Sequence, residues 1–130
     1  MGNLAGGVVI MANTVVWVDI PVIDLDRAIA FYSAVLGTEV GKADYGSFSI
    51  GLLPGAGEEA SGCLYVAEDA QPSDQGLLVY LNCQGRLDEA EAAISAAGGT
   101  VRQTKHAIGP HGFRVVFLDT EGNRLALHSM

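Results

Sequence analysis

Hydrophobic positions along the chain follow a strand period and then a helix period, and the sequence goes through that order twice. Residues 14–21 are β-branched and nearly continuous, as in a strand with at least one buried face. Asp24 or Asp26 then caps a helix whose apolar positions Leu25, Ile29, Tyr32 and Leu36 share one side and which stops at Gly37. Between residues 40 and 67 the pattern shortens: YGSFSIGLL and GCLYVAE read as strands, separated by the loop PGAGEEAS. Residues 77–83 then form a second leading strand. Leu87, Ala90, Ile94 and Ala97 make the stripe of a second helix, and Gly98-Gly99 stops it. VRQTKH, FRVVFL and RLALHS follow as strands, the last two joined by the turn Asp119-Thr120-Glu121-Gly122-Asn123. Each half reads βαβββ, and the third strand of the unit is weakest in the first half.

The halves also share residues. Val18 matches Val79, and after a slip of one position Leu25, Asp26, Ala28, Ala30, Ser33, Ala34, Gly37 and Thr38 match Leu87, Asp88, Ala90, Ala92, Ser95, Ala96, Gly99 and Thr100. Only two copies of this roughly 60-residue period fit, so it reads as a duplicated module within one domain, not as a solenoid. Module one spans about residues 14–68, module two about 77–130, and residues 1–13 form an N-terminal arm.

Composition narrows the function. With 130 residues the chain can build an ordinary core without disulfides or a structural metal. The net charge is −8 and no basic run occurs, which argues against nucleic acid as a partner. Residues 4–12 are apolar but too short to span a bilayer and lack a basic flank, so no membrane association is expected. Cys63 and Cys83 follow no CxxC or secretory spacing and read as small buried hydrophobes, which fits a reducing cytoplasm. GxSxG, GxxxxGK[ST] and GxGxxG are all absent.

The stretches VDIPVIDLDRAIAFYSAVLG, GLLVYLN, AAGGTV and HGFRVVFLDTEGNRLALHSM together resemble the vicinal oxygen chelate superfamily of glyoxalase I, bleomycin-resistance proteins and extradiol dioxygenases. They are closest to bacterial glyoxalase-related proteins without an assigned role. The resemblance runs from about residue 14 to the end. It implies an α+β fold in which two βαβββ modules form a cupped, curled mixed sheet with the helices outside, commonly in a homodimer. The apolar arm and short sheet edges fit a homodimer as well.

Metal-using members carry one ligand on the first strand of each module and one on the last. The first-strand positions fall on Trp17 and Leu78, and the last-strand carboxylate position in Gly122-Asn123-Arg124-Leu125-Ala126-Leu127 falls on Ala126. The fourth falls on Leu64, Tyr65 or Val66, with Glu68 reached only by a register error. Such a site needs at least three imidazole or carboxylate groups, so no cofactor is expected. A divalent metal would enter only if this alignment is wrong.

Strand alternation predicts what faces the cavity instead. Trp17 shares its face with Asp19, Leu78 with Tyr80 and Asn82, and Ala126 with Arg124 and His128. Val16, Val18, Ile20, Val79, Leu81, Leu125 and Leu127 face the helices. The expected ligand-binding set is Trp17, Asp19, Leu78, Tyr80, Lys105, Phe113, Arg124 and Ala126, with His128 and His111 as candidate proton carriers. Trp17 either stacks a planar ligand or plugs the cavity. Asp19 and Arg124 form either a cross-strand ion pair or a carboxylate-recognition pair. Lys105, His106 and His111 flank Gly109-Pro110 and Gly112 in either a gating loop or a plain hairpin connection. Two function classes follow. One is a module binding a small organic molecule, and the other a metal-independent or metal-dependent lyase or isomerase related to glyoxalase I.

Overall fold

A computed structural model describes residues 13–130, so the N-terminal arm lies outside the described residues except for Asn13. The first half contains β1 (Trp17–Pro21), α1 (Leu25–Leu36), β2 (Gly41–Asp44), β3 (Ser49–Leu52) and β4 (Ser61–Tyr65). The second contains β5 (Tyr80–Asn82), α2 (Leu87–Ala96), β6 (Thr100–Ala107), β7 (Phe113–Leu118) and β8 (Arg124–Ser129). Asp24 caps α1 by accepting from the Arg27 N–H at 3.1 Å, and Gly37 ends it in the left-handed region at φ 70°. Helix α2 starts without a side-chain cap.

Each half folds its strands into a separate mixed sheet, ordered β1-β4-β3-β2 and β5-β8-β7-β6. The leading strand lies parallel to the last one in both, a connection that needs the intervening helix as its crossover. The helices meet each other and cover one face of each sheet, so Ile20, Leu64, Phe31, Ile94, Val115 and Leu127 belong to one continuous core. Among the described residues no helix covers the other face of either sheet. This is the expected cupped α+β arrangement of two βαβββ modules, and the sheets do not close on each other.

Details depart from the periodicity. The buried stripe of α1 is Ala28, Phe31, Tyr32 and Val35, while Leu25, Ile29 and Leu36 sit at its margins, because the helix packs against α2 as well as its own sheet. Strand β2, GKAD, is an edge strand without apolar alternation, held to β3 by its ladder; hydropathy could not reveal it. Strand β5 is shorter than residues 77–83, leaving Leu78 before it. Lys105 and His106 belong to β6, so the connection to β7 is only residues 108–112, with a short 3-10 turn at Gly109–His111.

The turn 119–123 rivets the modules together. Asn123 Nδ2 donates to Pro21 O at 2.8 Å, the Tyr32 hydroxyl donates to Asp119 at 2.6 Å, and Glu121 accepts from the Ile23 and Asp24 N–H groups at 2.8 Å each. Arg27 adds a two-pronged ion pair to the fully buried Glu121 carboxylate at 2.7 and 3.0 Å. Arg86 returns the link by donating to Val35 O at the end of α1 at 2.8 Å.

Candidate functional site

On the helix-free side of the second sheet, ladder register lines up side chains from four strands. Asn82 stands opposite His128, His128 opposite Arg114, and Arg114 opposite His106. The next row on that face is Tyr80, Ala126, Val116 and Gln103. Ala126 and Val116 are buried although no helix covers them, because larger side chains flank them in register, and they make an apolar floor. Beside it a cavity of about 670 Å³ opens, lined by Tyr80, Leu81, Asn82, Ile108, His111 and His128. An apolar hollow with a few convergent polar groups is the usual form of a small-molecule site. A second hollow, of about 530 Å³, lies between β1 and β5 and shares Tyr80, Leu81 and Asn82 with the first.

Hydrogen bonds fix the orientation of these groups. His106 Nδ1 donates to Thr104 O at 2.8 Å, since a carbonyl can only accept, so Nε2 presents its lone pair to Arg114 Nε–H at 3.0 Å. Arg114 Nη1 donates to the Tyr80 hydroxyl at 2.7 Å. By the same logic His128 Nε2 donates to His111 O at 2.6 Å, and the Tyr80 and His128 rings meet edge-on at 6.3 Å. His111 therefore meets His128 through its backbone carbonyl and is one of the residues that line the cavity.

The corresponding face of the first sheet carries Trp17 and Asp19 on β1, facing Ser61 and Cys63 on β4. One carboxylate oxygen of Asp19 accepts from the Trp17 indole N–H at 2.9 Å and from the Cys63 thiol at 3.4 Å. Burial, with the Asp19 bond in support, pushes the Cys63 thiol up to about 11, so it stays protonated near neutrality and is a poor nucleophile. Trp17 is 39 % exposed and Tyr80 44 %.

Several expected roles change with these placements. Asp19 and Arg124 do not pair: β1 and β8 belong to different sheets, and Arg124 donates instead to Gly76 O at 3.4 Å. Lys105 stands on the helix side, where it pairs with Asp88 of α2 at 3.1 Å and lies 5.3 Å from the Phe113 ring centre. Phe113 follows it there because it alternates with Arg114 along β7. Leu78 is partly buried just before β5 and contributes no polar group. Trp17, Asp19, Tyr80, Ala126 and His128 occupy the helix-free faces. Arg114 and His106 escaped the sequence reading as a bonded pair, although alternation along FRVVFL already set Arg114 opposite in direction to Val115 and Phe117.

Symmetry between the modules relates β4 to β8. Asp19 and Tyr80 each lie two residues past a first-strand ligand position; Tyr80 faces Ala126, and Asp19 faces Cys63. Register thus sets Cys63, rather than Leu64, Tyr65 or Val66, at the place on β4 that Ala126 holds on β8. A set of Trp, Leu, Cys and Ala offers a single donor and does not fit a divalent ion. Among the described residues no three His, Cys, Asp or Glu side chains gather elsewhere to replace it.

Residues 15–128 match the glyoxalase-like domain family. The chain belongs to that family. Among solved structures, this glyoxalase-like domain is similar to a glyoxalase/bleomycin resistance protein from Albidiferax ferrireducens T118, with TM-score 0.69 and 20 % identity over 91 % of this chain and 99 % of that one. It is similar to the fosfomycin resistance protein FosX from Listeria monocytogenes, with TM-score 0.62 and 17 % identity over 93 % and 94 %. A V278E glyoxalase I mutant from Zea mays aligns with TM-score 0.65 and 20 % identity over 87 % of this chain and 44 % of that one. At these identities the likeness shows the fold of the glyoxalase-like domain. No curated protein sequence matches it.

Proposed function

We propose that the protein is a glyoxalase-like module that binds a small organic molecule on the helix-free face of its second sheet, without a chelated metal ion, as a homodimer. One observation carries the reading: the roughly 670 Å³ cavity beside Tyr80, Asn82 and His128 adjoins an apolar floor with Ala126 at the carboxylate position of metal-using relatives. Tyr80 supplies an aromatic wall, and Leu81 and Ile108 add apolar lining against which a flat body can lie. Titration calorimetry with 2-naphthamide, a neutral flat probe, tests it. Saturable binding that weakens about tenfold in Tyr80→Ala is the expected result. No heat of binding at millimolar probe would reject the site.

A second reading is a lyase or isomerase related to glyoxalase I that moves protons through side chains alone, and it draws on His128. With Nε2–H committed to His111 O, the Nδ1 lone pair has no partner among the described residues and is available as a base. The hemithioacetal of methylglyoxal and glutathione is the substrate to offer. Turnover present in the wild type, lost in His128→Ala and accompanied by retained naphthamide binding would establish this reading. Absence of turnover leaves the binding module as the function.

A further inference from the structure

Charge is distributed unevenly over this acidic protein. Its net charge is −8, yet β5, β6, β7 and β8 contain no Asp or Glu, while they hold Arg102, Lys105, Arg114 and Arg124. Two of these cations are matched by carboxylates outside the sheet, Arg102 by Asp74 and Lys105 by Asp88. Arg124 turns to a backbone carbonyl below the 73–76 segment. Arg114, half-buried in the middle of the helix-free face, has among the described residues only neutral partners: the His106 ring and the Tyr80 hydroxyl.

The geometry points to Arg114 as the anchor for an anion, so that the molecule bound on this face is a flat, carboxylate-bearing organic acid; this rests on the binding reading above. Among the described residues two of the five guanidinium N–H groups are used, and Nη2 has no partner for either hydrogen. The Tyr80 oxygen accepts from Arg114, which frees its own hydrogen to donate. Asn82 Oδ1 accepts from the Gln84 N–H at 2.8 Å, which leaves its amide NH2 outward. Three neighbouring groups thus present hydrogens and call for an electron-rich partner. A half-buried guanidinium facing neutral protein groups has water for its remaining hydrogens, and an anionic ligand is a stronger partner to replace that water. Ala126 completes the case. A carboxylate at that position, on the same face two residues from His128 and in the row next to Arg114, would either satisfy the guanidinium or repel an incoming acid. With alanine there, the surface that holds a cation in metal-using relatives is fitted to hold an anion.

The experiment compares 2-naphthoate with 2-naphthamide, which share a ring and differ in charge, by titration calorimetry on the full chain. Wild type should bind the acid at least about tenfold more tightly than the amide. Arg114→Gln should remove the preference for the acid, weakening it by a factor of at least about ten more than it weakens the amide, and Arg114→Lys should keep part of the preference. Raising sodium chloride should weaken the acid alone, a readout that needs no variant. Ala126→Glu should weaken the acid selectively. Equal affinity for acid and amide in the wild type would overturn the anion site while leaving the binding module standing. A preference that survives in folded Arg114→Gln would overturn the role of Arg114. If neither probe binds, both readings fall together.

Discussion

Glu121 shows how one side chain can carry the junction between modules. Its carboxylate is buried, which pushes its pKa up. The Arg27 fork, the Asp24 and Ile23 N–H groups and the Thr120 hydroxyl outweigh burial and hold it down to about 2. A group depressed from its usual 4.5 stabilises the fold fully above that value and loses the contribution as pH falls towards 2, because the unfolded chain takes up the proton first. Stability measured by denaturant unfolding should therefore decline between about pH 4.5 and 2, and Glu121→Gln should flatten that decline. The same variant should cost about 2–4 kcal/mol at neutral pH, since Arg27 and two backbone donors lose their anionic partner. Tyr32 belongs to the same junction. Burial first, and Asp119 beside it, raise its hydroxyl well above the ordinary tyrosine range, so it stays a donor at every physiological pH.

At the scale of elements, the approach of α2 and β6 to the first module depends on a missing side chain. A Cβ at Gly99 would lie 2.6 Å from Leu118 O and 2.6 Å from Phe31 Cε1, in a segment where both backbone and core ring are fixed. Gly99→Ala should destabilise the protein by about 1–3 kcal/mol through overpacking, readable as a lowered midpoint in urea with an unchanged slope. Gly37 has a different reason: its left-handed φ of 70° ends α1, and a Cβ there would meet the Arg86 guanidinium at 2.8 Å. The double glycine that reads in the sequence as a simple helix stop is thus also a packing contact between modules. Strand β2 illustrates the reverse case, an element whose ladder forms without any hydropathy signal.

For the whole molecule, Trp17 and Tyr80 on the helix-free faces are 39 and 44 % exposed. Val15 and Val16, which lie before β1, are 62 and 66 % exposed, so Val16 does not pack under the helices as alternation suggested. Apolar surface of this kind on a small domain marks a place where something else docks, and closed two-fold pairing of identical chains is the commonest solution. Light scattering at micromolar concentration should give a mass twice 13.5 kDa; a clean 13.5 kDa species would refute the homodimer. Among the described residues no helix is long and apolar enough to cross a membrane.

Local periodicity in the residues alone set the duplicated βαβββ order, the two helices each followed by glycine and the alternation that separates core from cavity face along each strand. These are local properties: a period of 2 or 3.6 residues and a glycine after the last helical turn are written within a dozen positions. Tertiary structure decided the rest, because partners distant in sequence are set by register and packing. Arg114 meets His106 and Tyr80 only once β6, β7, β8 and β5 are laid side by side. Asp19 and Arg124, plausible partners by strand alternation, are separated because their strands enter different sheets. Lys105 turns to α2 for want of an acid within its own sheet. The turn DTEGN, legible as a turn, became the rivet between modules only when three of its polar side chains were buried against strand and helix ends from the other half.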